Sequence, residues 1–235
     1  MAKWAAIVQS CYVPWKGYFD LINQVDHFLI YDDAEYSKNT WRNRNRVKTA
    51  SGTQWLTIPV AYSGRSRQRI DEVQVSDARW SERHWKTLTQ SYGRAPHFDQ
   101  YAPGFEELYA RTTTGLSEIN RAFIDHIRAL LGITTTISRT SDAYAGDATG
   151  TDRLVMLCQA VGADVYLSGP AARAYLDLDL LNRAGIEVAW MDYDGYPTYP
   201  QLYPPFEHQV STLDLLFNVG SDAPRYLKSF DKEAA

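Results

Sequence analysis

An arginine-rich segment is the most unusual feature of the sequence. Residues 37–69 contain eight Lys or Arg and no Asp or Glu, although the whole chain has a net charge of −4. Residues 41–48 (WRNRNRVK) alternate strictly, so on a strand Arg42, Arg44 and Arg46 would share one face. Guanidinium groups bind phosphate or carboxylate in a bidentate manner. The segment predicts a site for a phosphorylated or nucleotide-linked small molecule, although a solvated strand face would explain the same charges.

A second candidate site is the loop of residues 9–19 (QSCYVPWKGYF), which follows a predicted strand at residues 4–9. Ligands collect at the carboxyl ends of the strands in open α/β sheets. Cys11 could act as a nucleophile if a helix N-terminus or a histidine activated it, but a free cysteine is more often a small buried hydrophobe. The loop contributes three candidate substrate-binding residues: Gln9, Tyr12 and Trp15.

Candidate acids and bases follow in the next elements. Asp32 and Asp33 end a second predicted strand at residues 27–31, where paired carboxylates could orient an amine, bind Mg²⁺ or simply cap an element. His84 lies on a predicted helix and is the first candidate for a general base, although a lone helical histidine is more often structural. The five histidines and two cysteines lack metal-ligand spacing, so we expect no resident metal or cofactor beyond Mg²⁺ carried by substrate phosphate.

Aromatic and polar residues elsewhere in the chain complete the candidate site. Sixteen Tyr and seven Trp supply flat apolar faces with polar handles, which suits a sugar or a base. Ser168 follows a predicted strand at residues 164–167 without a nucleophile elbow, so it is interpreted as a binding or capping residue. The further candidate substrate-binding residues are Tyr36, Trp41, Arg42, Asn43, Arg44, Arg46, Ser168, Tyr199 and Gln201.

Nucleic-acid binding is an alternative explanation for the basic and aromatic residues. The sequence pI of 5.7 and the lack of a recognition-helix or RNP-like pattern argue against a dedicated nucleic-acid binder. Transient contact with a tRNA remains compatible with the pattern. Recognition of a sugar or nucleotide accounts for it at least as well.

The periodicity predicts an α/β fold in one domain over residues 1–235. Strand, loop, helix and strand follow one another at residues 4–31, and helix, strand, helix and strand at residues 152–191. This alternation favours a mostly parallel sheet with helices on both faces. Residues 55–60 and 73–75 resemble short strands joined by a turn near residues 63–64. Residues 81–131 are predicted to form a helical insertion or layer.

The location of the protein is predicted from what the sequence contains. Nowhere do 18 apolar residues run together, and residues 1–8 do not resemble a signal peptide. Cys11 and Cys158 lack paired spacing and suit a reducing compartment. We therefore expect a cytoplasmic protein without a membrane partner.

Several stretches of the chain together resemble the WbqC-like proteins, which are found among bacterial O-antigen and other surface-polysaccharide genes. The stretches are QSCYVPWKGYFDLI, IYDDAEYSKNTWRNRNRVKT, WLTIPV, YLSG with Tyr175, and STLDLLFNVG. The resemblance adds Tyr175 to the candidate binding residues. The family pattern has Asn or a similar residue at the position of Cys11, which argues against covalent catalysis.

The resemblance implies a glycine or other aminoacyl transferase that acylates an amino sugar or a similar amine in a polysaccharide or natural-product pathway. On that view the three arginines of residues 42–46 hold phosphate, Asp33 or His84 takes a proton from the amine, and residues 9–15 shape the acyl site. The acyl donor could be an aminoacyl-tRNA, an acyl adenylate or a carrier thioester. Two alternatives remain open, a nucleotidylyltransferase-like enzyme and a non-catalytic nucleotide-sugar binding protein.

Overall fold

The structure is a computed structural model that describes residues 1–65 and 67–230. Its strands are β1 (Trp4–Val8), β2 (His27–Ile30), β3 (Arg44–Thr49), β4 (Gly52–Thr57), β5 (Thr136–Arg139), β6 (Val165–Ser168) and β7 (Glu187–Trp190). Its α-helices are α1 (Lys16–Asn23), α2 (Trp80–Tyr92), α3 (Phe98–Ala110), α4 (Leu116–Leu130), α5 (Thr140–Ala143), α6 (Gly150–Ala160), α7 (Leu178–Arg183) and α8 (Thr212–Val219). Short 3₁₀ helices lie at Ile70–Glu72, Pro170–Ala174, Gly220–Tyr226 and Lys228–Phe230.

Five parallel strands form the main sheet in the order β5-β2-β1-β6-β7. Alternate residues of the central strand β1 (WAAIV) pack on opposite faces of this sheet. Ala6 belongs to one hydrophobic core, whereas Ala5 and Ile7 belong to another. A central strand of a sheet that is buried on both faces needs apolar residues at every position, and β1 has them. The predicted α/β class with a mostly parallel sheet is confirmed.

The connections of the sheet place a crevice beside β1. From β1 the chain proceeds through α1 to β2 on one side, whereas β6 pairs with the other side of β1 and leads through α7 to β7. The strand order therefore reverses between β1 and β6. In open α/β sheets the carboxyl ends of two such strands diverge and leave room for a ligand.

Residues 31–135 leave the sheet between the adjacent strands β2 and β5 and return to it. They contain an antiparallel hairpin, β3 and β4, in which Arg44 is opposite Thr57 and Arg46 is opposite Trp55. The predicted pairing of residues 55–60 with residues 73–75 is present only as an isolated antiparallel bridge between Val60 and Val75. The chain also reverses at residues 49–52, which the sequence did not predict, and there Gly52 adopts a φ of 118° that favours glycine.

The same excursion contains three helices, α2, α3 and α4. The buried side of α4 includes Leu116, Ile119, Phe123 and Ile127 at helical spacing, as its periodicity predicts. These residues belong to one hydrophobic core with Phe28 of the sheet, so the helices pack on it directly. No helix among the described residues has the length and apolarity that a membrane crossing requires.

Candidate functional site

A cavity of about 390 Å³ lies at the carboxyl ends of β1 and β6, where the strand order reverses. We call it the switch-point cavity. Gln9, Ser168 and Gly169 follow these strands and line it, together with Arg42 and the exposed Tyr175. Concave sites of this size, with aromatic walls and a few polar groups, hold small molecules.

A second cavity, of about 630 Å³, shares part of its wall with the first. We call it the loop-lined cavity, because its lining comes mainly from residues 11–18, 193–196 and 208–209. Trp15, Tyr18 and Tyr193 line both cavities. The rings of Trp15 and Tyr193 meet edge to face with centroids 5.3 Å apart. The two cavities are therefore neighbours that meet at an aromatic wall.

The loop after β1 is held in place by two other elements. The buried side-chain amide of Asn45 on β3 donates hydrogen bonds to the carbonyl oxygens of Tyr12 at 3.2 Å and Val13 at 2.9 Å. At the start of α8, the backbone N–H and the hydroxyl of Thr212 donate to the carbonyl of Pro14 at 2.9 Å and 2.8 Å. The hairpin and α8 thus fix the wall that separates the cavities.

Asp32 is buried and fastens the loop after β1 to helix α4. Its carboxylate accepts hydrogen bonds from the backbone N–H of Ser10 at 2.8 Å and from the hydroxyl of Ser117. It lines neither cavity. These contacts favour a structural role over the predicted role in proton transfer or Mg²⁺ binding.

Asp33 joins the end of β2 to helix α6. It forms a nearly buried ion pair with Arg153 and accepts a hydrogen bond from the hydroxyl of Thr140 at 2.5 Å. It too lines neither cavity. The geometry therefore gives no support to the hypothesis that Asp33 takes a proton from substrate.

His84 and Tyr12 lie in the core rather than at a cavity. The hydroxyl of Tyr12 lies 2.9 Å from Nδ1 of His84 and 2.6 Å from the hydroxyl of Tyr109. Burial lowers the pKa of His84 to about 4. Neither His84 nor Tyr12 lines a cavity, so this hydrogen-bonded group explains both residues structurally.

Cys11 lines the loop-lined cavity but is a poor nucleophile in this environment. Its Sγ lies 3.9 Å from Nη1 of Arg42, which favours the thiolate. Burial outweighs this charge and raises the pKa of Cys11 to about 11. The thiol is therefore protonated near neutral pH.

The three arginines of residues 42–46 do not share one face, so that prediction was wrong for Arg42. Arg42 lies in a turn before β3, where its carbonyl accepts a hydrogen bond from Asn120, and it lines the switch-point cavity. Arg44 and Arg46 do share the outer face of β3, with their guanidinium carbons 4.3 Å and 5.6 Å from the ring centroid of Trp55. They line neither cavity.

The other predicted binding residues divide into two groups. The cavities bring together Gln9, Trp15, Trp41, Ser168 and Tyr175. The remaining four residues contact the protein interior instead. These are Tyr36 against Tyr62, Asn43 donating to the carbonyl of Ile58, and Tyr199 and Gln201 both donating to the carboxylate of Asp214.

Comparison with known proteins assigns the chain to a family. The model of the WbqC-like protein family matches residues 9–226. The chain belongs to this family. A relative that is 47% identical over 227 residues is the uncharacterized protein Rv1507c of Mycobacterium tuberculosis (strain ATCC 25618 / H37Rv), and the match covers 96% of this chain and 98% of the relative. No solved structure matches the chain.

In this WbqC-like chain, the irregular segment after β7 supplies cavity residues that the sequence did not single out. Tyr193, Tyr196 and His208 line the loop-lined cavity, and Asp194 is its acidic residue. Residues 193–209 contain several Tyr and Pro but no helical or strand periodicity. A concentration of aromatic residues in a segment without periodicity was the only available signal.

Among the side chains that line the two cavities, His208 is a candidate for proton transfer. Burial and the nearby charge of Lys16 lower the pKa of His208, so its ring is neutral near pH 7. Within residues 1–65 and 67–230, Nδ1 of His208 is buried and has no hydrogen-bond partner. The described residues contain no group of three or more His, Cys, Asp or Glu that could hold a metal ion.

Proposed function

We propose that this protein is an aminoacyl transferase that forms an amide, with glycine as the expected acyl group, on the amine of a phosphorylated or nucleotide-linked amino sugar. Polysaccharide biosynthesis is the setting that we propose for this reaction. The observation that carries the proposal is the shared wall of Trp15, Tyr18 and Tyr193 between two cavities. A transferase must hold two substrates side by side, and adjacent cavities of small-molecule size meet this need.

The switch-point cavity is the proposed site for the phosphorylated acceptor. Arg42 supplies positive charge, and Gly150 and Thr151 place the N-terminus of α6 in the lining. Both features favour an anion. Tyr31 and Tyr175 offer ring faces for a sugar or a base.

The loop-lined cavity is the proposed site for the acyl group. At the border of the two cavities the amine nitrogen attacks the acyl carbonyl, a C–N bond forms, and the bond from the acyl carbon to the donor oxygen or sulfur breaks. The donor leaves as AMP, or takes up a proton and leaves as the tRNA 3′-hydroxyl or a thiol. His208 accepts the proton that the amine loses, because a neutral imidazole is a general base. Arg42 lines one cavity and contacts Cys11 in the other, so its charge can stabilise the oxyanion that develops at their border.

The test is a transfer assay followed by mass spectrometry. The protein is incubated with a nucleotide-linked amino sugar and with glycyl-tRNA, glycyl adenylate or a glycyl thioester. We expect the acceptor to gain the mass of one glycyl residue. The variant His208→Asn should lose about 100-fold or more in turnover while it retains acceptor affinity. Because burial lowers the pKa of His208, the wild-type rate should rise with pH about a midpoint lower than that of an ordinary histidine. His97 lines neither cavity, so His97→Asn is the matched control.

The same assay separates the alternatives. Release of pyrophosphate from a nucleoside triphosphate would instead favour a nucleotidylyltransferase, which the position of the switch-point cavity also suits. Tight binding of the nucleotide sugar without transfer from any donor would indicate a binding protein. Both cysteines are free and buried, which agrees with the cytoplasmic location that we propose.

A further inference from the structure

Two tryptophans lie side by side on the surface of the β3–β4 hairpin and the turn before it. Trp41 is 44% exposed and Trp55 is 42% exposed, and their ring centroids are 5.4 Å apart. Arg44 and Arg46 lie over the ring of Trp55. We call these four residues the tryptophan–arginine patch. Large aromatic side chains with this much open area are characteristic of binding surfaces.

The charge around the patch favours a polyanion over a protein partner. The patch lies within residues 37–69, which contain eight Lys or Arg and no acid. In the part of the chain that the structure describes, neither Arg44 nor Arg46 forms an ion pair. Within residues 1–65 and 67–230, no carboxylate pairs with the charges of these two arginines.

We infer that the tryptophan–arginine patch binds single-stranded RNA, namely the unpaired 3′ end of an aminoacyl-tRNA that serves as acyl donor. This inference rests on the proposed function. Bases stack on exposed aromatic rings, and arginines bind the phosphates between them, which together form the usual surface for single strands. Each unpaired base offers an aromatic face that can stack on a tryptophan, and each phosphate offers a negative charge for an arginine. A polysaccharide or a carrier protein does not combine aromatic faces with negative charges at regular spacing.

The position of the patch connects it to the proposed acyl site. Trp41 lines the loop-lined cavity as well as the patch. Arg46 donates a hydrogen bond at 2.7 Å to the side-chain oxygen of Gln209, which also lines this cavity. A strand that stacks on the patch would thus bring its 3′-terminal ester to the mouth of the cavity that contains His208.

Fluorescence anisotropy with a labelled single-stranded RNA that ends in CCA and carries no amino acid tests the inference directly. Trp55→Ala should weaken binding about tenfold or more, because one stacking face is lost. Arg44→Ala should weaken binding less and lower the slope of log affinity against log salt by about 0.7, the value for one phosphate contact. Arg173→Ala is the matched control, because its guanidinium also lies over a tryptophan ring, that of Trp190 at 5.0 Å, and Arg173 is not one of the four patch residues. Thermal melting verifies that each variant folds.

Three results would overturn the inference. Unchanged affinity in folded Trp55→Ala would exclude stacking on the patch. Equal affinity for an abasic oligomer of the same length would show that charge alone binds the strand. A change of oligomeric mass in Trp55→Ala by light scattering would instead identify the patch as a contact between copies of the chain.

The RNA measurement is independent of transfer, so the two proposals can fail separately. Transfer from a glycyl thioester without RNA binding would retain the proposed function and overturn this inference. Binding that depends on Trp55, without transfer from any donor, would support the patch as an RNA site and remove the transferase proposal.

Discussion

Replacement of Asp33 by Asn should strongly destabilise the protein without altering its chemistry. Asp33 pairs with Arg153, and the two side chains are only 10% and 11% exposed. The pair connects β2 to α6, and the carboxylate of Asp33 also accepts a hydrogen bond from the hydroxyl of Thr140. The substitution removes one charge and leaves the guanidinium of Arg153 buried without its counter-ion.

The size of the effect follows from this burial. Removal of one partner from a buried ion pair costs about 3–5 kcal/mol in the free energy of unfolding. The amide oxygen of the new Asn side chain can still accept a hydrogen bond from Thr140. We therefore expect a loss at the lower end of this range, about 3 kcal/mol in the free energy of unfolding. In a chain of this size, 1 kcal/mol shifts Tm by roughly 2–4 °C, which gives a fall of about 6–12 °C.

Urea unfolding and thermal melting measure this loss, and turnover is measured on the folded fraction. Arg153→Met combined with Asp33→Asn should recover part of the stability, because no buried charge is then left unpaired. Asp222→Asn serves as the control, since Asp222 pairs with Arg225 at the surface and should contribute less than about 1 kcal/mol. Lost turnover with unchanged Tm would refute the structural interpretation and restore Asp33 as a catalytic residue.

Three further predictions concern other candidate residues. Burial lowers the pKa of His84 from about 6.5 to about 4, so the fold favours the neutral ring. About 3 kcal/mol of stability should therefore be present above pH 6.5 and lost as the pH falls towards 4. Urea unfolding should show a weaker pH dependence in His84→Gln, and identical profiles would contradict this account. Cys11→Ser should retain most turnover, since its pKa is raised to about 11, and a trapped acyl-Cys11 species in mass spectra would overturn this. By calorimetry, Arg42→Ala should weaken nucleotide-sugar binding by about 1.5–3 kcal/mol, with partial rescue by Arg42→Lys, whereas Arg44→Ala should leave this affinity unchanged.

The sequence predicts the sheet and the loop after β1 because both follow from local patterns. Apolar runs, glycine stops and helical spacing define β1, α1 and β2 without reference to distant residues. The loop that carries Gln9 and Trp15 is found at the cavities because ligand sites lie at the carboxyl ends of strands.

The roles of the acidic residues depend on partners that are distant in sequence. Asp32 is bound by Ser117 and Asp33 by Arg153, and no spacing rule connects these positions. Alternation in residues 41–48 suggests one continuous strand, but the turn that directs Arg42 to the cavity is held by Asn120 of α4. Tertiary contacts therefore override the local pattern at these residues.

For a similar reason, the sequence alone does not identify His208 as a site residue. It lies in a segment without helix or strand, whose course is fixed by hydrogen bonds between the Gln201 side chain and the backbone of Glu207. Only the folded chain brings this segment to the loop after β1.

The central position of β1 also bears on how the chain folds during its synthesis. β1 can pair with β2 as soon as residues 4–30 have left the ribosome, but its other neighbour, β6, begins only at Val165. Until then one edge of an almost entirely apolar strand offers unpaired N–H and C=O groups to any other strand. Chains are synthesised from the N-terminus at about 5–20 residues per second, so this edge stays open for about 7–27 s. Slower translation of residues 31–164 should therefore lengthen this exposure and increase aggregation of the nascent chain.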